Sequence, residues 1–401
     1  MTPARDSDDN MGIEIQGNYQ GRMKPVVDAF ELGFRNRPKM GAALSIWVDG
    51  VEALSIRGGF SDYDTQSRWD EKTLSVIFSC TKGLISILTA QFVEAGLLKY
   101  QDRVSKYWPE FGSHGKAEIT IAEALSHKAG LAAPISDVSP VEVLDWDFMT
   151  NLLANQEPLW SPGTGHAYHA ITHGWLVGEV LRRVSGKNLG QLIKDQISEP
   201  LAADVWLGLP SELLERVATM RAADSLRELT KVQQEESIKT GFDLSIRSMT
   251  LGTAFPPELV SPSGAFNSAE VQTAEIGSAG GIATASGLAK VWSSTVTLTE
   301  GRRLISPGTL AQAVEIQAKG QPVWNSPEPW PRYGMGFQLD SEARRYLSSA
   351  GFGHDGAGGQ VSFADPINNV GFAYLTNEME ALGDTRATAV INALSEVLTC
   401  E

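Results

Sequence analysis

Residues 77–88 read Ile77-Phe78-Ser79-Cys80-Thr81-Lys82-Gly83-Leu84-Ile85-Ser86-Ile87-Leu88, a serine and a lysine set in an otherwise apolar run. From Ser79 to Leu98 the pattern predicts a helix. Leu84, Leu88, Phe92 and Ala95 form one stripe, while Ile85, Ile87 and Val93 make other faces apolar too. A helix hydrophobic nearly all round is a buried helix. Ser79 and Lys82 stand three residues apart, so they share a face and come within mutual reach. A serine hydroxyl is a weak nucleophile at neutral pH and needs a base. A lysine serves as that base only when its pKa is lowered, and burial supplies the desolvation. The helix start adds positive potential where an oxyanion forms. Ser and Lys are common on solvated faces, but a surface lysine fits IFSCTKGLISIL poorly.

Outward from this helix, strand signals lie at both ends of the chain. Met23, Val27, Phe30 and Phe34 follow helical spacing, and Pro38 is expected to mark the end of that helix. Two β-prone runs then flank Asp49-Gly50, a pair that tolerates the positive φ of a tight hairpin. Strand patterns return at RYGMGFQL (residues 332–339) and at QVSFADPINNVGFAYLT (360–376), where Asp365 to Asn369 supply a turn. A final helix is predicted from about Thr385, with Val390, Ile391, Leu394, Val397 and Leu398 on one face, and Gly96 is a plausible stop for the Ser79 helix. Between these ends, residues 100–290 are mostly helix-like. The polar segment LRELTKVQQEESIKTGFDLSIRSM (226–249) reads as a helical excursion or lid. The expectation is an α+β protein. Residues 1–98 and 285–401 build one domain around an antiparallel sheet, residues 99–284 form a mostly helical insertion, and the active site lies at their interface.

The 401 residues are 42% hydrophobic and 20% charged, with a net charge of -15. An acidic surface repels phosphate backbones and anionic lipid, which argues against nucleic-acid and membrane partners. With two cysteines, Cys80 and Cys400, no disulfide framework is implied. The opening MTPARDSDDNMGIEIQ lacks the apolar core of a secretory signal, and no run has the apolar length of a membrane span, so a cytoplasmic, reduced protein is expected.

Other chemistry-bearing residues read modestly by themselves. His166, His169 and His173 suggest a metal, but no H-E-x-x-H carboxylate accompanies them, and no metal or other cofactor is expected. Gly163-x-Gly165 lacks the third glycine of a dinucleotide loop, and no serine stands in G-x-S-x-G. Alone, Tyr168 would read as a packed ring and His354 as a loop histidine bonded to backbone. Trp160, Trp175, Trp324 and Trp330 are candidates for a pocket wall or for plain core.

FSCTKG (78–83), LSHKAGL (125–131), PGTGHAYHAITHGWLVGEVLRRVSG (162–186), FNSAEVQTAEIGSAGGIATASGLAKVW (266–292) and FGHDGAGGQ (352–360) occur in an order that resembles the β-lactamase-like serine hydrolases, and most of all the family VIII carboxylesterases. The resemblance runs from about residue 20 to the C-terminus and implies a β-lactamase/transpeptidase-like fold. It implies Ser79 as nucleophile, Lys82 as its partner and Tyr168 as the tyrosine of a Y-x-N element. His354-Asp355-Gly356 stands where relatives carry K-T-G or H-T-G. The N–H groups of Ser79 and Ala357 would form an oxyanion hole, with His354, Asp355 and Gly356 lining the substrate site.

Two departures matter. The Asn of Y-x-N is Ala170, and the Lys of K-T-G is His354, which removes a permanent cation suited to a substrate carboxylate. Both fit the esterase branch better than β-lactam or peptidoglycan turnover. The resulting expectation is cleavage of a small-molecule carboxylic ester through an acyl-enzyme on Ser79, with either Lys82 or Tyr168 as the initial base. The alternatives are a β-lactam hydrolase, peptidase or acyltransferase on the same site, and a catalytically silent binding protein of the same fold.

Overall fold

The computed structural model describes residues 13–240, 243–324, 326–381 and 383–399. Its largest element is an antiparallel sheet in which the two ends of the chain meet. The order runs Gln16–Tyr19, Val51–Asp62, Gly41–Val48, Val370–Thr376, Val361–Asp365, Phe352–Asp355, Gln338–Leu339 and Arg332–Tyr333, with Ser67–Arg68 pairing at the side of Val51–Asp62. The centre is therefore a pairing of an early strand with a late one, in a register that sets Leu44 opposite Tyr374 and Ile46 opposite Phe372.

Successive side chains on these strands enter different cores, as a two-residue period requires. Leu44, Ile46, Phe372 and Tyr374 face one way. They pack with Phe30, Val390, Ile391 and Leu394 of the terminal helices Lys24–Leu32 and Arg386–Thr399. Ala43, Trp47, Ala373 and Leu375 face the other way, toward the helix Ala285–Val296 and the rest of the chain. A sheet covered on both faces has no polar side, so these strands read as continuous apolar runs. Gly371 lets that helix lie close: a Cβ there would stand 2.3 Å from the Ala289 carbonyl oxygen.

Several local expectations meet their structure here. Asp49 and Gly50 both take positive φ, 51° and 78°, at the tip of the first hairpin. Val361–Asp365 and Val370–Thr376 form the second, and Asn369 in its turn has φ 50°. The first helix ends at Leu32 rather than near Pro38, because the chain turns through Gly33 and Asn36, the latter at φ 63°. RYGMGFQL is two short strands, not one: Gly334 and Gly336 turn the chain so that Arg332–Tyr333 folds back on Gln338–Leu339. Segment 226–249 is helical, within Asp224–Thr240 and Leu244–Thr250; its residues 241 and 242 lie outside the described residues, as do Cys400 and the acidic opening stretch to residue 12. Among the described residues, no helix is long and apolar enough to cross a membrane.

The predicted Ser79–Leu98 helix divides into a 3-10 turn, Phe78–Cys80, and the helix Thr81–Glu94, with Gly96 at φ 70° beyond its end. Eleven of its fourteen helical residues are buried, which confirms burial on every side. Gly83 admits the Trp292 indole; a Cβ would lie 2.4 Å from the ring. A small second sheet sets the start of this helix. Ser75–Val76 pairs with Gly281–Ala283, which also pairs with Val205–Leu207. The loop leading into residue 281 is thereby brought beside Ser79.

Candidate active site

Ser79 sits at the turn where the short strand Ser75–Val76 becomes a helix. The residue before it, Phe78, holds a left-handed φ of 44°. A bulky residue there is strained, and such strain persists only where surroundings fix it. The fixing groups are visible. Thr81 Oγ1 donates to the Phe78 carbonyl at 2.5 Å, and the Phe78 ring packs edge-on to Phe266 at 5.2 Å. Ser79 itself is half-buried, whereas Lys82 is fully buried beneath it.

Lys82 Nζ lies 3.1 Å from Ser79 Oγ, 2.6 Å from the Ala170 carbonyl oxygen and 3.1 Å from that of Ser278. The missing Asn side chain at position 170 is thus matched by the backbone oxygen of the same residue. Burial pulls the amine well below lysine's usual range. A neutral amine has two N–H groups and one lone pair. Two carbonyls take the two donors, which leaves the lone pair for the Ser79 hydroxyl.

Tyr168 is brought to the same place by a loop that precedes the helix His173–Ser185. Its ring lies beneath Lys82, with Nζ 4.8 Å from the centroid, and its phenol is close enough to feel the Ser79 hydroxyl. Burial drives the phenol above its ordinary range, against the lowering influence of Ser79. Two neighbours went unremarked in the sequence. Tyr333 stacks on the ring at 6.1 Å, and His127 meets it edge-on at 4.9 Å. Both stand in quoted motifs, YGMG and LSHKAGL, but nothing in residue type or spacing links them to Tyr168.

The strand Phe352–Asp355 forms the opposite wall. His354 is buried, its Nδ1 pairs with the Asp355 carbonyl at 2.7 Å, and burial pulls it down to about 3. It stands neutral, so no cation occupies that position. The Asp355 carboxylate is turned to Arg344 Nε, 2.6 Å away. Gly356 must be small: a Cβ would lie 2.4 Å from the Ile77 carbonyl oxygen. That close approach brings Ala357 beside the helix start. Among the described residues, neither the Ser79 N–H nor the Ala357 N–H has a backbone acceptor. Cys80 ties the two walls together, its thiol donating to the His354 carbonyl at 3.1 Å.

Backbone partners assign the tautomers of the buried histidines. His127 Nδ1 accepts from the His169 N–H at 3.3 Å, so its proton is on Nε2. His169 Nδ1 donates to the Ala167 carbonyl at 2.6 Å, and its Nε2 accepts from the Leu131 N–H at 3.1 Å. His173 Nε2 donates to the Leu125 carbonyl at 3.3 Å. The three rings pack on one another with backbone atoms as their partners, and His166 stands apart, its carbonyl accepting from the Val323 N–H at 2.9 Å. Of the four tryptophans, Trp175 is core, whereas Trp160 meets the His169 ring edge-on at 5.8 Å.

Burial holds His127 and His173 well below their usual pKa, His169 at about 4 and His354 at about 3. The unfolded chain takes up protons on these four as pH falls through about 6.5, while the folded chain does not. Their neutral burial therefore supports the fold fully above that pH and loses ground below it, by up to about 1.4 kcal/mol per pH unit for each. Denaturant titrations at pH 7 and pH 5 are expected to give a clearly lower stability at pH 5. Equal values would contradict their neutral burial.

Comparison with known proteins agrees with this fold. The Beta-lactamase family matches residues 30–395. The esterase/beta-lactamase LipL of Mycobacterium tuberculosis is 30% identical over 378 residues, 92% of this chain and 84% of its own. The crystal structure of a family VIII carboxylesterase superposes with a TM-score of 0.84 at 30% identity, over 96% of this chain and all (100%) of that one. A penicillin-binding protein homologue from Caulobacter crescentus gives the same TM-score, 0.84, at 31% identity, again over 96% and 100% of the two chains. With its helix-covered antiparallel sheet and its serine–lysine pair at a buried helix start, the chain belongs to the Beta-lactamase family.

Proposed function

We propose that this protein is a serine hydrolase that cleaves carboxylic esters through an acyl-enzyme on Ser79. The observation that carries the reading is the Lys82 amine, held dry between two carbonyls with its third position 3.1 Å from Ser79 Oγ. Lys82 is then the initial base. It takes the Ser79 proton as Oγ attacks the ester carbonyl carbon, and the developing oxyanion is held by the N–H groups of Ser79 and Ala357. Tyr168, whose burial keeps it protonated, gives its proton to the leaving alkoxide and is reprotonated from Lys82. Water attacks the acyl-enzyme by the same path in reverse and returns the proton to Ser79.

The ester preference rests on the wall formed by Phe352–Asp355. A neutral His354 offers no cation to a substrate carboxylate, and Arg344 is engaged with Asp355. His354, Asp355 and Gly356 then shape the substrate cleft rather than anchor an anion. The relative named esterase/beta-lactamase and the family VIII neighbour are consistent with this substrate class. The buried free thiol of Cys80 suits the reducing, cytoplasmic setting that we include in the proposal.

The test is intact-mass analysis after mixing with short-chain aryl esters and a cephalosporin, with turnover measured in parallel. An acyl adduct mapped to Ser79 and ester turnover orders of magnitude above cephalosporin turnover are expected. The reverse preference would make the protein a β-lactam hydrolase. A product ester formed on adding alcohols would make it an acyltransferase. No adduct from any of them would leave a silent binding protein.

A further inference from the structure

We propose that Ser278 is a positioning residue for Lys82: its hydroxyl stitches together the two chain segments whose carbonyls hold the amine. The inference rests on the reading of Lys82 as the base. Neither carbonyl belongs to the helix that carries the lysine. Ala170 lies 88 residues further along the chain and Ser278 lies 196 further, so something must register one segment against the other. Ser278 Oγ does so by donating to the Ile171 carbonyl at 2.5 Å. Ile171 neighbours Ala170, so one side-chain hydrogen bond fixes the separation of both oxygens facing Nζ.

The surrounding packing leaves this bond little freedom. The Ser278 side chain is fully buried. Gly174 allows the loop to approach, since a Cβ there would stand 2.4 Å from the Ser278 nitrogen. The far end of the loop is pinned to the nucleophile helix, where the Gly281 N–H donates to Thr81 Oγ1 at 2.9 Å.

What the stitch controls is the number of acceptors around a buried amine. With two carbonyls in place, a neutral Lys82 is satisfied and its lone pair is directed at Ser79. If the loop drifts, water enters and the ammonium form is favoured. The other groups around the amine do not set this balance. Tyr168 is a protonated phenol, and His127, His169, His173 and His354 are neutral. The Cys80 thiol is pushed up to about 12, and the Asp355 carboxylate is paired with Arg344.

The experiment is the pH profile of kcat/KM for a short-chain aryl ester with Ser278→Ala, Ser278→Cys and the parent protein. Activity rises with pH as the amine loses its proton, so the acid limb reports Lys82. In Ser278→Ala the limb is expected to move up by about half a pH unit or more, with kcat down roughly tenfold and KM little changed. Ser278→Cys, which keeps a weaker donor, should fall between. A role limited to folding would lower the melting temperature and leave the limb where it was. An unmoved limb in either folded variant overturns the proposal. Should Lys82→Met remain active, the parent reading fails instead, and the two failures are told apart.

Discussion

Ser79→Ala is expected to abolish ester turnover, a loss on the order of 10⁴–10⁶ in kcat, while the protein remains folded. Nothing nearby can replace the lost hydroxyl. Cys80 is adjacent in sequence and is intrinsically a better nucleophile, but its thiol points to the His354 carbonyl and burial pushes it up to about 12. Tyr168 is held protonated by burial, so its phenol is no substitute nucleophile. The side chain of Ser79 is only half-buried and caps no helix, so its truncation is expected to cost the fold little. Steady-state kinetics with a thermal melt on the same preparation checks both halves. An alanine variant with undiminished turnover would dispose of the acyl-enzyme.

Lys82→Met is expected to lower kcat by on the order of 10³–10⁴ and to erase the acid limb of the pH profile. Methionine matches the length and removes the amine. The remaining candidate base, the Tyr168 phenol, holds its proton too tightly to act at neutral pH. Lys82→Arg should not rescue, because a guanidinium keeps its charge under any working condition. Stability is expected to change little. Removing an amine that burial disfavours is a gain, and depriving the Ala170 and Ser278 carbonyls of their donor is a loss of about 1–3 kcal/mol each. A Lys82→Met protein with an intact acid limb would assign that limb, and the base, to another residue.

The serine and lysine were legible because their neighbours are apolar: a lysine inside IFSCTKGLISIL has nowhere to go but inward. The hairpins at Asp49-Gly50 and Asp365 to Asn369, and the terminal helix, were legible for a similar reason, since turn chemistry and periodicity are local. The first helix stops before Pro38 because Asn36, at positive φ, turns the chain sooner. The 3-10 start at Phe78 was hidden because its strained φ is imposed by Phe266 and Thr81, not by the residue itself. Ala170 looked like a simple loss, since a side chain is visible in a sequence and the direction of a carbonyl is not. Ser278, Tyr333 and His127 have their partners far away along the chain, beyond the reach of any local pattern.

The pairing of Gly41–Val48 with Val370–Thr376 has a consequence for how the protein comes into being. The middle of the sheet requires residues separated by most of the chain, and such distant closures are slow to form. During synthesis the serine and lysine emerge well before the strand bearing His354 and the one beside it. On the proposed mechanism, the serine and lysine have no opposite wall until the strand Phe352–Asp355 has been made and has paired with Val361–Asp365.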